Sequence, residues 1–253
     1  MSAAAWGGRF LDALAFLSRL APPRNFTAQS LAACVPWFAP AGLTLGCLCT
    51  LAAWLALTFL FTATGAALAA WLWLALELWS TRGLHWDGLA DLTDACGSGA
   101  SGARFWEILR DSRLGAFGAL SLLLIFSGQW LALAWHLAAG QWLMPVLAPA
   151  WGRACAVWLA ASVPPHNPDS LGGLACAGAD PTVRRVYRLG ALLLVCLLAA
   201  LGLSLWQGLI LIVAQYWLTR RLAAQARLQG GLSGDFLGAA IELGQLWFLL
   251  ATL

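Results

Sequence analysis

The sequence predicts an all-α protein: a polytopic integral membrane bundle of about seven spanning helices, preceded by an amphipathic helix lying at the membrane interface. Three observations predict it. Hydrophobic residues make up 61% of the 253-residue chain and charged residues only 10%, against roughly 45–50% and about 25% in soluble domains. Sixteen tryptophans suit a chain that crosses membrane interfaces, where Trp collects. The arginines fall between apolar runs in the pattern of a multi-pass chain. The length suits one membrane-embedded domain over residues 1–253.

The elements follow in order. Residues Arg9–Leu20 place Phe10, Leu11, Leu14, Phe16, Leu17 and Leu20 on a helix too short to cross, ended by Pro22-Pro23. Asp12 and Arg19 interrupt this stretch, so no cleavable signal is expected. Apolar runs then cover about 36–62, 66–82, 114–138, 142–162, 189–204, 208–222 and 236–253, with short turns near Thr64-Gly65, Gly140-Gln141 and Trp206-Gln207. A spanning helix needs about 20 apolar residues. The basic residues, all of them Arg, test this reading. Arg9, Arg19 and Arg24 precede the first span. Arg82, Arg104, Arg110 and Arg113 lie between spans two and three, Arg184, Arg185 and Arg188 between four and five, and Arg220, Arg221 and Arg227 between six and seven. Only Arg153 falls inside a span. Basic loops stay in the cytoplasm, which predicts cytoplasmic loops at 82–113, 163–188 and 220–235 and puts the acidic residues at or near the cytoplasmic face. The seven cysteines (34, 47, 49, 96, 155, 176 and 196) have neither CxxC pairs nor metal spacing and read as small hydrophobes.

In a chain so poor in charge, "RGLHWDGLADLTDACGSG" (82–99) stands out. Asp87, Asp91 and Asp94 are spaced i, i+4, i+7. If 85–96 is helical they share one stripe, where like charges repel unless a cation is bound. Hard divalent ions take oxygen ligands, often one or two carboxylates plus substrate phosphates. This reading outweighs that of a solvated acidic loop. His85 is a proton carrier or a structural residue. A helix turns it roughly 160° from the stripe, given about 3.6 residues per turn. Asp94, furthest along the stripe, is therefore the favoured proton acceptor, with His85 the competitor.

Two further groups accompany it. In "ARFWEILRDSRLGAFG" (103–118), Glu107 and Asp111 are i, i+4 and Arg110 and Arg113 are i, i+3. The arginines suit phosphate, and a surface helix of ion pairs is an equal alternative. In "ARLQGGLSGDFLGAAIELGQ" (226–245), Asp235 and Glu242 share a helix face, with Gly238 between them. Glu242 and Glu77 are intramembrane carboxylates, functional by default. Arg153 is their natural partner and a third candidate for the substrate phosphate. For Glu77 a buried structural ion pair is the favoured reading.

"GLHWDGLADLTDA" and "WEILRDSRLGAFG" resemble the signature of the cobalamin synthase family, the adenosylcobinamide-GDP ribazoletransferases. "FLSRLAPP" (16–23), "PWFAPAGLTLG" (36–46) and "GGLSGDFLGAAIELGQLWFLL" (230–250) match that family's pattern in order, so the resemblance runs from residue 10 to the end. The chain departs from the pattern at Leu92 (usually Thr), Ala95 (usually Gly), Gln245 (often Glu) and Gln129 (commonly Lys). The resemblance implies a Mg²⁺-dependent transferase of the bacterial inner membrane, multi-pass with a cytoplasmic active face. It would join adenosylcobinamide-GDP to α-ribazole or its 5′-phosphate, releasing GMP and forming adenosylcobalamin or its 5′-phosphate. Homo-oligomers and association with other cobalamin-assembly enzymes stay open. A CDP-alcohol-phosphotransferase-like enzyme is the alternative within the same chemistry, although Asp91 stands where that family's Arg would follow Ala90. A transporter using Glu77, Arg153 and Glu242 as a polar path is the alternative of another class. A net charge of +3 without a basic stripe argues against nucleic acid.

Overall fold

Each apolar run becomes a helix because backbone N–H and C=O groups have no other partner in an apolar setting. The computed structural model describes residues 3–59 and 64–253, and among these there are twelve α-helices and no β-strand. They are α1 Ala3–Leu17, α2 Ala28–Cys34, α3 Phe38–Phe59, α4 Gly65–Thr81, α5 Leu84–Gly97, α6 Ala103–Leu109, α7 Ala116–Ala138, α8 Leu143–Ala160, α9 Leu171–Gly178, α10 Pro181–Ala200, α11 Leu205–Leu228 and α12 Gly234–Ala251. The seven longest after α1, apart from the short α5, coincide with the seven apolar runs. The end of the first run, 60–62, lies outside the described residues.

Four segments are long and apolar enough to cross a membrane by length and composition: Ala28–Phe59, Ala116–Ala138, Leu143–Ala160 and Gly234–Ala251. The other three long helices differ for visible reasons. The α4 helix has 17 residues, and α10 and α11 carry arginines at the ends that face the basic loops.

Boundaries shift where polar residues continue a helix past its apolar run. Helix α10 starts at Pro181, eight residues before the run at 189. Asp180 caps it by accepting from the Val183 amide at 2.8 Å, and Pro181 occupies the first helical position. Helix α11 continues to Leu228 through strong helix formers. The turn expected near Trp206-Gln207 lies instead at 201–204, because Ser204 caps the next helix in a capping box with Gln207 that draws Trp206 and Gln207 into its first turn. The first helix spans Ala3–Leu17 rather than Arg9–Leu20. It stops because the Arg19 amide leaves the helical pattern to donate to Ser80 O at the end of α4, 2.7 Å. Its Ala13, Leu14 and Leu17 are buried against the bundle, while Leu11 is exposed.

Helix α12 is the hub, packed against α8, α5, α11 and α7, with α3 sandwiched between α8 and α4. The short α5 lies across the start of α12. Their backbones nearly touch: a Cβ on Gly88 would come within 2.9 Å of Asp235 Cα, and one on Gly238 within 3.0 Å of His85 O. Only glycine allows this crossing, and it brings the acids of α5 beside the first turn of α12.

Candidate active site

Helix α5 runs over 84–97, so the three aspartates do share a stripe. It turns outward: Asp87 is exposed and Asp91 and Asp94 are half-buried, while His85 on the opposite side is buried. A cavity of about 850 Å³ opens onto this stripe. Asp87 and Asp91 line it from α5, Phe16 and Arg24 from the N-terminal segment, Arg82 from the α4–α5 turn and Ser112 from the α6–α7 loop. A smaller cavity of about 190 Å³ adjoins it, with Asp87 in its wall, and reaches Asp235 and His85.

The acids crowd one another. Burial, then the charges of Asp87, Asp235 and Asp94, raise the Asp91 carboxyl to about 6. Asp235 is held by Ser233, whose hydroxyl donates to Oδ2 at 2.9 Å. Asp94 has a different setting: Oδ2 accepts from the Gly115 amide and Oδ1 from the Gly118 amide, each 2.8 Å. These are donors at the start of α7, so Asp94 ties α5 to that helix and offsets its N-terminal dipole. With one amide on each oxygen, Asp94, expected as a metal ligand and proton acceptor, also anchors α7 to α5.

No three described His, Cys, Asp or Glu side chains are disposed to hold a metal ion by themselves. Asp87 and Asp91 facing one cavity fit the Mg²⁺ pattern, in which one or two carboxylates are completed by substrate phosphates and water. The crowding that raises Asp91 is what a bound dication would relieve.

The basic partners differ from the expected ones. Arg104 pairs with Glu107 at 2.8 Å and Arg113 with Asp111 at 2.6 Å, all on the outer surface. The Arg113 hydrogen bonds hold Asp111 down at about 2. This is the ion-pair surface of the alternative reading, and neither Arg110 nor Arg113 lines the cavity. Arg153 lies inside the bundle, 1% exposed, with Nη1 3.2 Å from Glu77 Oε1 and 3.2 Å from Pro149 O. It therefore meets an acid rather than the cavity. The arginines that line the cavity are Arg24, whose Nε is 2.6 Å from Asp12, and Arg82, whose Nη2 donates to Phe16 O at 3.3 Å. Among the described residues Arg82 is the only non-glycine with positive φ, 59°. Such conformations collect at functional sites. Sequence reasoning counted Arg24 and Arg82 only toward topology. The signal available was the position of Arg82 five residues before Asp87.

Behind the site lies a buried polar chain. Glu77 accepts from Gln245 Nε2 at 2.8 Å, and the same Nε2 donates to Gln129 Oε1 at 2.9 Å. Gln129 Nε2 donates to the Glu242 backbone carbonyl and to Oε2, both 3.1 Å. Glu242 Oε1 stands 3.7 Å from His85 Nδ1, too long for a hydrogen bond. Both ring nitrogens of His85 are buried without a hydrogen-bond partner among the described residues. Burial, with the charge of Arg153, pushes the imidazole well below its ordinary pKa. Gln129 and Gln245, two of the departures from the family pattern, are thus in contact.

The chain matches the family model described as cobalamin-5-phosphate synthase over residues 9–253. It is 43% identical to an adenosylcobinamide-GDP ribazoletransferase of Nitratidesulfovibrio vulgaris (strain DP4), over 91% of each chain. A protein of the same name from the Miyazaki F strain of that species is 42% identical over 99% of this chain and 96% of its own. One from Vibrio cholerae O395 is 32% identical over 96% and 92%. No solved structure matches. A match along almost the whole chain, with the aspartate helix and the closing glycine-acid segment meeting at one cavity, identifies this protein as a member of the cobalamin-5-phosphate synthase family.

Proposed function

We propose that this chain is an adenosylcobinamide-GDP ribazoletransferase acting from the cytoplasmic face of the bacterial inner membrane. The carrying observation is the convergence of Asp87 and Asp91 with Arg24 and Arg82 around one cavity. A nucleotide diphosphate would otherwise meet only repulsion from such acids, and arginine forks neutralise phosphate oxygens. The segregation of every arginine but Arg153 to one set of loops supports the cytoplasmic orientation.

In the reaction, the ribazole hydroxyl attacks the phosphorus nearer cobinamide. The bond from that phosphorus to the GMP oxygen breaks, and GMP leaves with the electron pair. Asp87 and Asp91 would hold Mg²⁺ against the diphosphate, and when bound the ion supplies charge neutralisation at the phosphates. Arg82, fixed by its turn, and Arg24, once turned from Asp12, bind the remaining oxygens. Asp94 keeps α7 and the 110–115 loop seated on α5. The attacking hydroxyl has to lose its proton. Asp235 is the acceptor this geometry favours, since Ser233 engages one of its oxygens and Asp235 shares the inner cavity with Asp87. The family match weighs against the CDP-alcohol-phosphotransferase and transporter alternatives.

The test is release of GMP by the purified protein in detergent, with Mg²⁺, adenosylcobinamide-GDP and either ribazole or its 5′-phosphate. Release absent in Asp87→Ala supports the reading; release equal to that of Asp87→Ala defeats it. For the acceptor, Asp235→Asn should lose kcat without losing Mg²⁺ affinity. Unchanged kcat and pH profile would return the role to Asp94, with His85 the competitor. Labelling a cysteine at position 98, in a cysteine-free background, with an impermeant reagent tests the orientation: reaction from the periplasm sinks it.

A further inference from the structure

A second cavity, of about 600 Å³, lies between α8, α10 and α11 and shares no lining residue with the carboxylate cavities. Its walls are of two kinds. Arg184, Arg188, Arg220 and Arg227 line it, and none of them meets a carboxylate among the described residues. Arg227 donates to Ser162 O at 2.6 Å, Arg220 lies over the Tyr216 ring, and Arg184 Nε is buried without a partner. Most of the rest is apolar or aromatic, Trp158, Leu192, Val195 and Ile212 among it, with Ser162, Gln215 and Thr219 the uncharged polar members. Leu192 and Ile212 are exposed, as are Leu193, Leu197 and Val213 beside them, so the apolar part opens toward the side of the bundle. Helix α10 buries only Tyr187 and Leu198 of its twenty residues, leaving most of its length to be covered by something outside the chain.

Four guanidinium groups without a carboxylate partner among the described residues call for an anion. An apolar wall that leads from them along Leu192 and Val195 of α10, with Ile212 of α11 opposite, calls for a hydrocarbon chain attached to that anion. A soluble phosphate would satisfy the first demand and leave the second open. Basic pockets between membrane helices at the cytoplasmic side bind anionic lipid headgroups, and these arginines belong to the loops that the charge pattern puts on that side. We propose that this cavity is a binding site for one anionic phospholipid, its phosphate held by Arg184, Arg188, Arg220 and Arg227 and its acyl chain lying along Leu192, Val195 and Ile212. The lipid fastens α10 to α8 and α11, which its own side chains scarcely do.

The experiment is native mass spectrometry of the full chain, delipidated in detergent and titrated with phosphatidylglycerol or phosphatidylcholine, with thermal melting in parallel. Neither readout depends on turnover. Wild type should retain one phosphatidylglycerol at least tenfold more tightly than phosphatidylcholine and melt higher with it. Each arginine removed should weaken it roughly fivefold, so Arg184→Gln/Arg188→Gln loses most of the preference. Arg185→Gln, exposed on the same helix and outside the cavity, should keep it. Equal retention of the two lipids, or an unchanged preference in Arg184→Gln/Arg188→Gln, overturns the proposal. Equal protection by inorganic phosphate overturns it in favour of a free-anion site. Displacement of the lipid by adenosine monophosphate overturns it in favour of a nucleotide site.

Discussion

Asp87 and Asp91, compared with Glu77 and Glu242, are carboxylates of one bundle in opposite settings. The first two face an open cavity, repel each other and have no basic partner within ion-pair distance among the described residues. The second two are 1% exposed and engaged, Glu77 by Arg153 and Gln245, Glu242 by Gln129. Unsatisfied charge at an opening is a site waiting for a ligand. Satisfied charge in an interior fixes which helix faces meet. A buried pair adds little net stability, yet removing one member strands the other. The intramembrane position of an acid therefore does not reveal its role; its partners do.

Substitutions break this comparison from both sides. The largest effect is expected at the open cavity. Asp87→Ala should cut GMP release by about a thousandfold, in keeping with several kcal/mol of metal-assisted charge stabilisation, while melting stays unchanged. Loss of folding together with activity would move Asp87 to the structural class. Next comes the interior. Arg153→Ala should destabilise by about 3–5 kcal/mol in denaturant unfolding, and Arg153→Met with Glu77→Leu should recover most of it. If the single change is silent, the pair does not hold the register of α4 and α8.

The third test lies where the chain departs from its family. Gln129 and Gln245 stand where Lys and Glu are common, and they touch. Gln245→Glu alone adds an unbalanced buried charge beside Glu77, Gln129→Lys alone faces Glu242, and the double variant rebuilds an ion pair between the two positions. The double-mutant coupling should reach about 1–3 kcal/mol; additive effects would mean that the two departures arose independently.

The fourth concerns pH. Asp91 has its folded pKa raised to about 6. The sign follows: its contribution favours the folded state at low pH and is lost as pH rises through about 6. Protons and Mg²⁺ compete for it, so apparent Mg²⁺ affinity should fall up to tenfold per unit below about pH 6. Asp91→Asn should flatten that slope; an equally steep profile in the variant assigns the titration elsewhere. The smallest effect is expected at Arg113→Gln, which breaks a surface pair only. Its kcat/KM should stay within about twofold of wild type, and a larger loss would return Arg113 to the substrate.

Much of this was legible in sequence. Seven apolar runs marked the seven long helices, because hydrocarbon length and period 3.6 leave little choice. The i, i+4, i+7 spacing marked the acid stripe, and Glu77 with Arg153 was foreseeable because an interior tolerates neither alone. The anchoring of Asp94 was hidden for a physical reason: its partners, Gly115 and Gly118, are backbone amides about twenty residues away, and amides leave no mark in composition. Arg24 and Arg82 were hidden likewise, since only the packing of the N-terminal segment on the α4–α5 turn brings them to one cavity. Helix ends erred where polar caps outran the apolar run.

The crossing at Gly88 and Gly238 works as a mechanical stop. Two main chains set the gap between α5 and α12, so the span from Asp87 and Asp91 to Asp235 does not depend on how neighbouring side chains drift over generations. A single methyl at Gly88 would push the two chains apart and one at Gly238 would press on His85 O, making those two positions a caliper for the whole site.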